Sequence, residues 1–115
     1  MKKDKSVLSG NTTLLVLSLL DEKDCYGYQI IEELAKRSEN VFHLKTGTLY
    51  PLLHGLEDEG MVSSYDAVAE GGRTRKYYRI TSSGQALLEE KQAEWASYTS
   101  AVNRVLSGGE GYAFA

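Results

Sequence analysis

Hydrophobic positions in this chain follow a helical spacing up to residue 60 and a strand spacing just after it. Asn11 to Glu22 (NTTLLVLSLLDE) opens with three residues able to cap a helix, Asn11, Thr12 and Thr13, and continues apolar on nearly every side. A helix apolar all round is buried all round, so this one is expected to be covered partly by its own domain and partly by another chain. In YGYQIIEELAKRS, Gly27, Ile30, Ile31 and Leu34 recur at i, i+3, i+4 and i+7, an amphipathic helix. The stretch KTGTLYPLLHGLEDEGMV repeats the pattern with Leu49, Leu52, Leu53 and Leu56, and Gly60 is placed as the left-handed residue that stops it.

After Gly60 the period becomes two. MVSSYDAV and RTRKYYRI read as strands joined by AEGG, with Gly71 and Gly72 supplying the turn of a hairpin. Of the adjacent Tyr77 and Tyr78, one is expected to face the core and the other outward. Thr81 to Leu106 then runs without a breaker after Gly84, with Ser82 and Gln85 as a capping box. The glycine-rich end, SGGEGYAFA, reads as frayed. Three helices, a hairpin and a long helix make an α+β, mostly helical chain. The plan is a winged helix-turn-helix over residues 1–80, a dimerisation helix over 81–107 and a flexible tail over 108–115. In such folds the third helix enters the DNA major groove and the wing lies against the backbone or minor groove.

That third helix carries the chain's only proline. Pro51 lies about one turn from the helix start, so the single backbone bond it removes is the one to the Gly47 carbonyl. On a helical wheel the leucines face the core, and Gly47, Tyr50, Pro51, His54 and Asp58 fall opposite. Thr46, Gly47 and Thr48 keep the start of the helix slim, and free N–H groups there attract phosphate. Lys45 stands just before them, and Tyr50 and His54 can reach bases or phosphates.

Net charge is −3, which argues mildly against nucleic acid. The distribution matters more. Cations cluster at Lys2, Lys3 and Lys5 and at Arg73, Arg75, Lys76 and Arg79; anions cluster around Asp21, Glu57 and Glu89. An acidic chain can still present a basic face when the two sets lie on different sides. The single cysteine, Cys25, excludes an internal disulfide. The apolar run Leu14 to Leu20 is too short to span a membrane, and the expected location is cytoplasmic. No metal-ligand spacing surrounds His54, and His43 and Cys25 read as structural. There is no phosphate-cradling loop and no set of nucleophile, base and acid, so an enzyme is not expected, nor a cofactor.

GYQIIEEL, GTLYPLLHGLEDEGMV, GGRTRKYYRIT and SGQALLEE, in this order and spacing, resemble the PadR family of bacterial transcriptional regulators over roughly residues 11–106. The resemblance implies a winged-helix repressor that binds double-stranded DNA and dimerises through its C-terminal helix. It implies that Tyr50, Pro51 and His54 belong to the DNA-reading helix, and Gly71, Gly72, Arg73, Arg75 and Lys76 to the wing. Arg or Lys is expected beside His54; this chain has Gly55. Standing alone, the wing cations would read as the solvated face of a hairpin.

Along the last helix, Leu88, Lys91, Trp95, Tyr98, Val102 and Val105 recur at spacings of three and four, a coiled-coil-like seam. At about 1.5 Å per residue this helix is roughly 40 Å long, more than one small domain can cover, so a homodimer is expected. For Trp95 two readings stay open: packing in that seam, or, with Tyr98, the wall of a site that stacks a small flat aromatic effector. Two functions also stay open, an operator-binding repressor and a winged-helix module that binds an acidic protein.

Overall fold

The computed structural model describes the backbone of residues 2–108 and the side chains of residues 11–108. The expected flexible tail, beyond Gly108, lies outside them. The elements are α1 (Lys2–Glu22), β1 (Cys25–Tyr26), α2 (Gly27–Arg37), α3 (Thr46–Asp58), β2 (Val62–Val68), a single 3-10 turn (Glu70–Gly72), β3 (Thr74–Ile80) and α4 (Ser82–Leu106). This is a winged helix carrying a long C-terminal helix.

Three local expectations need correction. The first helix does not start at Asn11 but at Lys2, so Asn11, Thr12 and Thr13 are interior rather than capping. The hairpin is part of a three-stranded antiparallel sheet of order β1-β3-β2. The last helix is capped by Thr81, not by a Ser82–Gln85 box: the Thr81 hydroxyl accepts from the Gly84 amide at 3.0 Å. The same hydroxyl lies 2.6 Å from the Gly60 carbonyl and 3.0 Å from that of Met61. One side chain thus ties the end of α3 to the start of α4.

The core gathers the apolar stripes in one place. Val16, Leu17, Leu19 and Leu20 of α1, Ile30 and Leu34 of α2, and Leu49, Leu53 and Leu56 of α3 are buried together with Val62, Tyr78 and Leu88. Gly60 has φ +79°, the left-handed stop expected of it. Tyr78 is the inward tyrosine at 1% exposure, and Tyr77 is half-buried on the other face of the sheet. Burial also pushes the Cys25 thiol up, which suits a structural role. At the α1–α2 corner, Arg37 bonds both oxygens of Glu22 and also Glu33. It holds both carboxyls below the usual range. These are surface pairs, worth little individually; Arg37–Glu33 lies within α2, and Arg37–Glu22 links the ends of α1 and α2.

Candidate nucleic-acid interface

The third helix presents its start to solvent. Lys45 has extended backbone (φ −101°, ψ 154°), and its carbonyl accepts from the amides of Thr48 and Leu49, both at 2.9 Å. No side chain occupies the first amides. Lys45, Thr46, Gly47, Thr48, Pro51 and His54 are all exposed, and space is open around Gly47. An uncapped helix start with a lysine beside it favours an anion through its N–H groups and dipole.

Tyr50 is placed differently from the wheel-based expectation. It is half-buried, with its hydroxyl end against Gly27 at the start of α2 and its ring 6.4 Å from that of His54. It braces α3 on α2 and backs the exposed imidazole. On the flank, Glu57 accepts from the Ser64 hydroxyl at 2.7 Å, joining α3 to β2. Pro51 and Gly55 edge a groove of about 370 Å³ that also includes Thr13, Leu87 and Lys91. Pro51 and Gly55 therefore both border α1 and α4, at one edge of the outward face.

The wing runs from Val62 to Ile80, with Tyr65 opposite Tyr77, Asp66 opposite Lys76 and Val68 opposite Thr74. Its tip is closed by Gly71 and Gly72 at φ +86° and +79°, values that suit glycine. The Ala69 amide donates to the Arg73 carbonyl at 2.7 Å. Of the wing residues expected to meet DNA, Gly72, Arg73 and Lys76 are exposed. Arg75 is not free in the same way. Its guanidinium lies over the Tyr26 ring at 4.9 Å, and its Nε is buried without a hydrogen-bond partner among the described residues. Arg79 lies over Tyr65 at 4.9 Å and pairs with Asp24 at 3.3 Å.

The sequence pattern gave no role to Tyr26 or Tyr65, and Asp24 read only as one of the anions clustered around Asp21. Hairpin register alone sets Tyr65 opposite Tyr77, but a two-residue strand such as β1 has no period to reveal it. The Tyr65 hydroxyl donates to Asp24 at 2.5 Å, and this bond is the main reason its phenol is pushed up.

On the last helix Leu88, expected on the dimer seam, lies in the chain's own core at 4% exposure. It sits only about two turns from the Thr81 cap, where α4 still rests on the domain. Farther out, Trp95 is 44% exposed and Tyr98 60%, their rings 5.9 Å apart. Val102 is half-buried.

The profile of the PadR-like family of transcriptional regulators matches residues 16–90. The chain belongs to the PadR-like family. It is 38% identical over 102 residues to an uncharacterised protein of Lysinibacillus sphaericus, covering 89% of this chain and 94% of that one. It is 35% identical over 77 residues to the transcriptional regulator Rv3488 of Mycobacterium tuberculosis, 67% of this chain and 68% of that protein. Among solved structures, a transcriptional regulator from Clostridium thermocellum superposes with a TM-score of 0.77 at 33% identity, over 86% of this chain and 96% of that one. A PadR family regulator from Clostridium difficile does so with a TM-score of 0.69 at 38% identity, over 82% and 96%. The PadR-like assignment makes the chain a DNA-binding transcriptional regulator rather than an enzyme. Among the described residues no helix is long and apolar enough to cross a membrane, and no group of three or more His, Cys, Asp or Glu could hold a metal.

Proposed function

We propose that this PadR-like protein is a cytoplasmic repressor that binds a two-fold symmetric operator as a homodimer. The observation that carries this is the outer part of α4. Trp95, Tyr98, Val105 and Leu106 are 44%, 60%, 78% and 77% exposed on one 25-residue helix. So much apolar surface on a projecting helix marks an interaction site, and a second copy offers the matching seam. A symmetric pair presents two α3 starts and two wings. Lys45, Thr46, Thr48, Pro51 and His54 face the major groove, while Gly72, Arg73 and Lys76 meet the backbone. Half-sites then lie about one helical turn apart, roughly 34 Å between centres.

An electrophoretic shift with the DNA upstream of the protein's own gene, followed by footprinting and light scattering, tests this. The expected result is two protected half-sites and a mass twice the 12.7 kDa of one chain. A folded monomer at low micromolar concentration, or a single asymmetric footprint, would reject it. A shift with acidic protein partners and none with any duplex would favour the protein-binding module instead.

A further effector reading is favoured by the Trp95–Tyr98 pair. Its rings stand 5.9 Å apart and partly exposed on the helix proposed to pair. In the dimer they would form the wall of a site for a small flat aromatic molecule whose binding releases DNA.

A further inference from the structure

The outer face of the three-stranded sheet carries a continuous stack that crosses all three strands. Tyr77 is its centre. Tyr26 of β1 meets it edge-on, with centroids 5.4 Å apart, and Tyr65 of β2 stacks on it at 5.7 Å and 15° between planes. Arg75 and Arg79 flank Tyr77 on β3 at positions two before and two after, hence on the same face. They lean to opposite sides: Arg75 covers Tyr26, and Arg79 covers Tyr65.

The stack also reaches beyond the sheet. Asp24, in the corner between α1 and α2, accepts from the Tyr65 hydroxyl at 2.5 Å and from Arg79 Nε at 3.3 Å. The Tyr26 amide donates to Gln29 Oε1 at 3.1 Å, seating the same corner on the first turn of α2. β1 pairs only with Tyr77 and Tyr78, whereas β2 pairs with β3 from Val62 to Val68. The outer half of the hairpin is therefore a two-stranded ribbon, marginal in isolation. Arg75 is on that outer half and reaches back onto β1, while Arg79 secures the base.

We infer that Asp24, Tyr26, Arg75 and Arg79 are positioning residues for DNA binding, a brace that sets the angle of the wing, while Arg73 and Lys76 make its phosphate contacts. This rests on the winged-helix DNA reading proposed above and divides the wing's four cations into two roles. The brace makes an electrostatic prediction of unusual sign. Asp24 is an anion beside a basic wing, so removing it should tighten DNA binding if charge alone counts. If Asp24 anchors the brace, removing it loosens the wing and weakens binding.

Asp24→Ala, Arg75→Ala, Arg73→Ala and the pair Tyr26→Phe and Tyr26→Ala are to be titrated with a random-sequence duplex over a range of salt. Phosphate contacts are sequence-independent, so the operator is not needed for this test. Asp24→Ala is expected to bind about fivefold to tenfold more weakly, with thermal unfolding little changed, as for a surface pair. Its salt slope stays at the wild-type value, because the phosphate contacts still form once the wing is ordered. Arg75→Ala follows the same pattern, whereas Arg73→Ala lowers the slope by about one unit per lost contact. Tyr26→Phe keeps the ring and the affinity, and Tyr26→Ala loses affinity. In free Asp24→Ala, amides of Ala67 and Arg75 should exchange faster than in the wild type.

Equal or tighter binding by Asp24→Ala would overturn the inference, as would a slope for Arg75→Ala that falls as far as that of Arg73→Ala. Wild-type protein that binds no duplex at all would overturn both the DNA reading and the brace. A wild-type shift that Asp24→Ala leaves untouched overturns the brace alone.

Discussion

Gly27, Gly55 and Gly84 are all helical, and they differ in what stands where a side chain would go. A Cβ on Gly55 would meet nothing within 4 Å. One on Gly84 would meet the Met61 carbonyl oxygen and Ile80 Cγ1, and one on Gly27 would meet the Tyr50 phenol. In α3 the exposed Gly55 costs about 1 kcal/mol relative to alanine through backbone entropy, so Gly55→Ala should raise the unfolding midpoint. Gly84→Ala should lower it, by about 1–3 kcal/mol of overpacking, because the Met61 backbone cannot swing aside. Thermal melts of the two variants check both signs. The wheel sorted the clear positions: Leu49, Leu53 and Leu56 are buried and His54 is exposed. It misplaced Tyr50, which lies at the edge of the outward face. There a long side chain turns toward whichever neighbour leaves room, and Gly27 does. That pairing spans 23 positions and leaves no periodic signal.

At the scale of elements, legibility followed length. Helices of 11, 13 and 25 residues carry enough turns for apolar spacing to show, and the two seven-residue strands carry enough alternation. β1, with two residues, exists only because Tyr77 and Tyr78 offer it a partner. Ends were harder to read than interiors. Asn11, Thr12 and Thr13 are good caps, but the eight residues from Lys2 to Ser9 and Gly10 beyond them also take helical form, so the cap is not used. The opposite case is α3, whose start holds no side-chain acceptor although two threonines flank Gly47. Stability alone would favour an acceptor there; phosphate binding favours leaving the amides free. Lys45→Asp should therefore separate the two. An Asp at this N-cap is expected to stabilise the fold by about 0.5–1 kcal/mol. It should also weaken DNA binding about tenfold or more, since a carboxylate replaces the lysine charge and takes the amides. A melt and a binding titration on the same sample decide it, and DNA affinity that rises with stability would show that the α3 start does not meet phosphate.

On the whole-molecule scale α4 divides into a part that the domain buries and a part that the described residues leave exposed. The domain end of α4 is closed by its own core through Gly84 and Leu88, while Trp95 and Tyr98 stand outward with no covering element among the described residues. The sequence disclosed the apolar spacing along α4 but not where burial in the chain's own core ends, because Leu88 and Trp95 share one spacing and only the fold shows that the first is buried. If the two α4 helices of a dimer close fully, paired indoles form a dry interface. If they leave a gap at the two-fold axis, the indoles can sandwich a flat aromatic molecule. Such a guest would change the angle between the long helices, and with it the spacing of the two α3 starts. Linkage then fixes a reciprocal result: if the guest lowers DNA affinity by some factor, DNA lowers guest affinity by the same factor. Trp95 is the chain's only tryptophan, so its fluorescence reports this site alone. Titration with planar dyes and phenolic acids is expected to quench it, and added operator DNA should shift the midpoint upward. Trp95→Ala should abolish dye binding, followed through the dye's own fluorescence because the variant has no tryptophan. It should leave a monomer–dimer equilibrium weakened by about 3–5 kcal/mol if the ring is packed between subunits. Protein that binds DNA, yet shows no quenching across a varied panel, would assign Trp95 to packing and leave the release of DNA to some other signal.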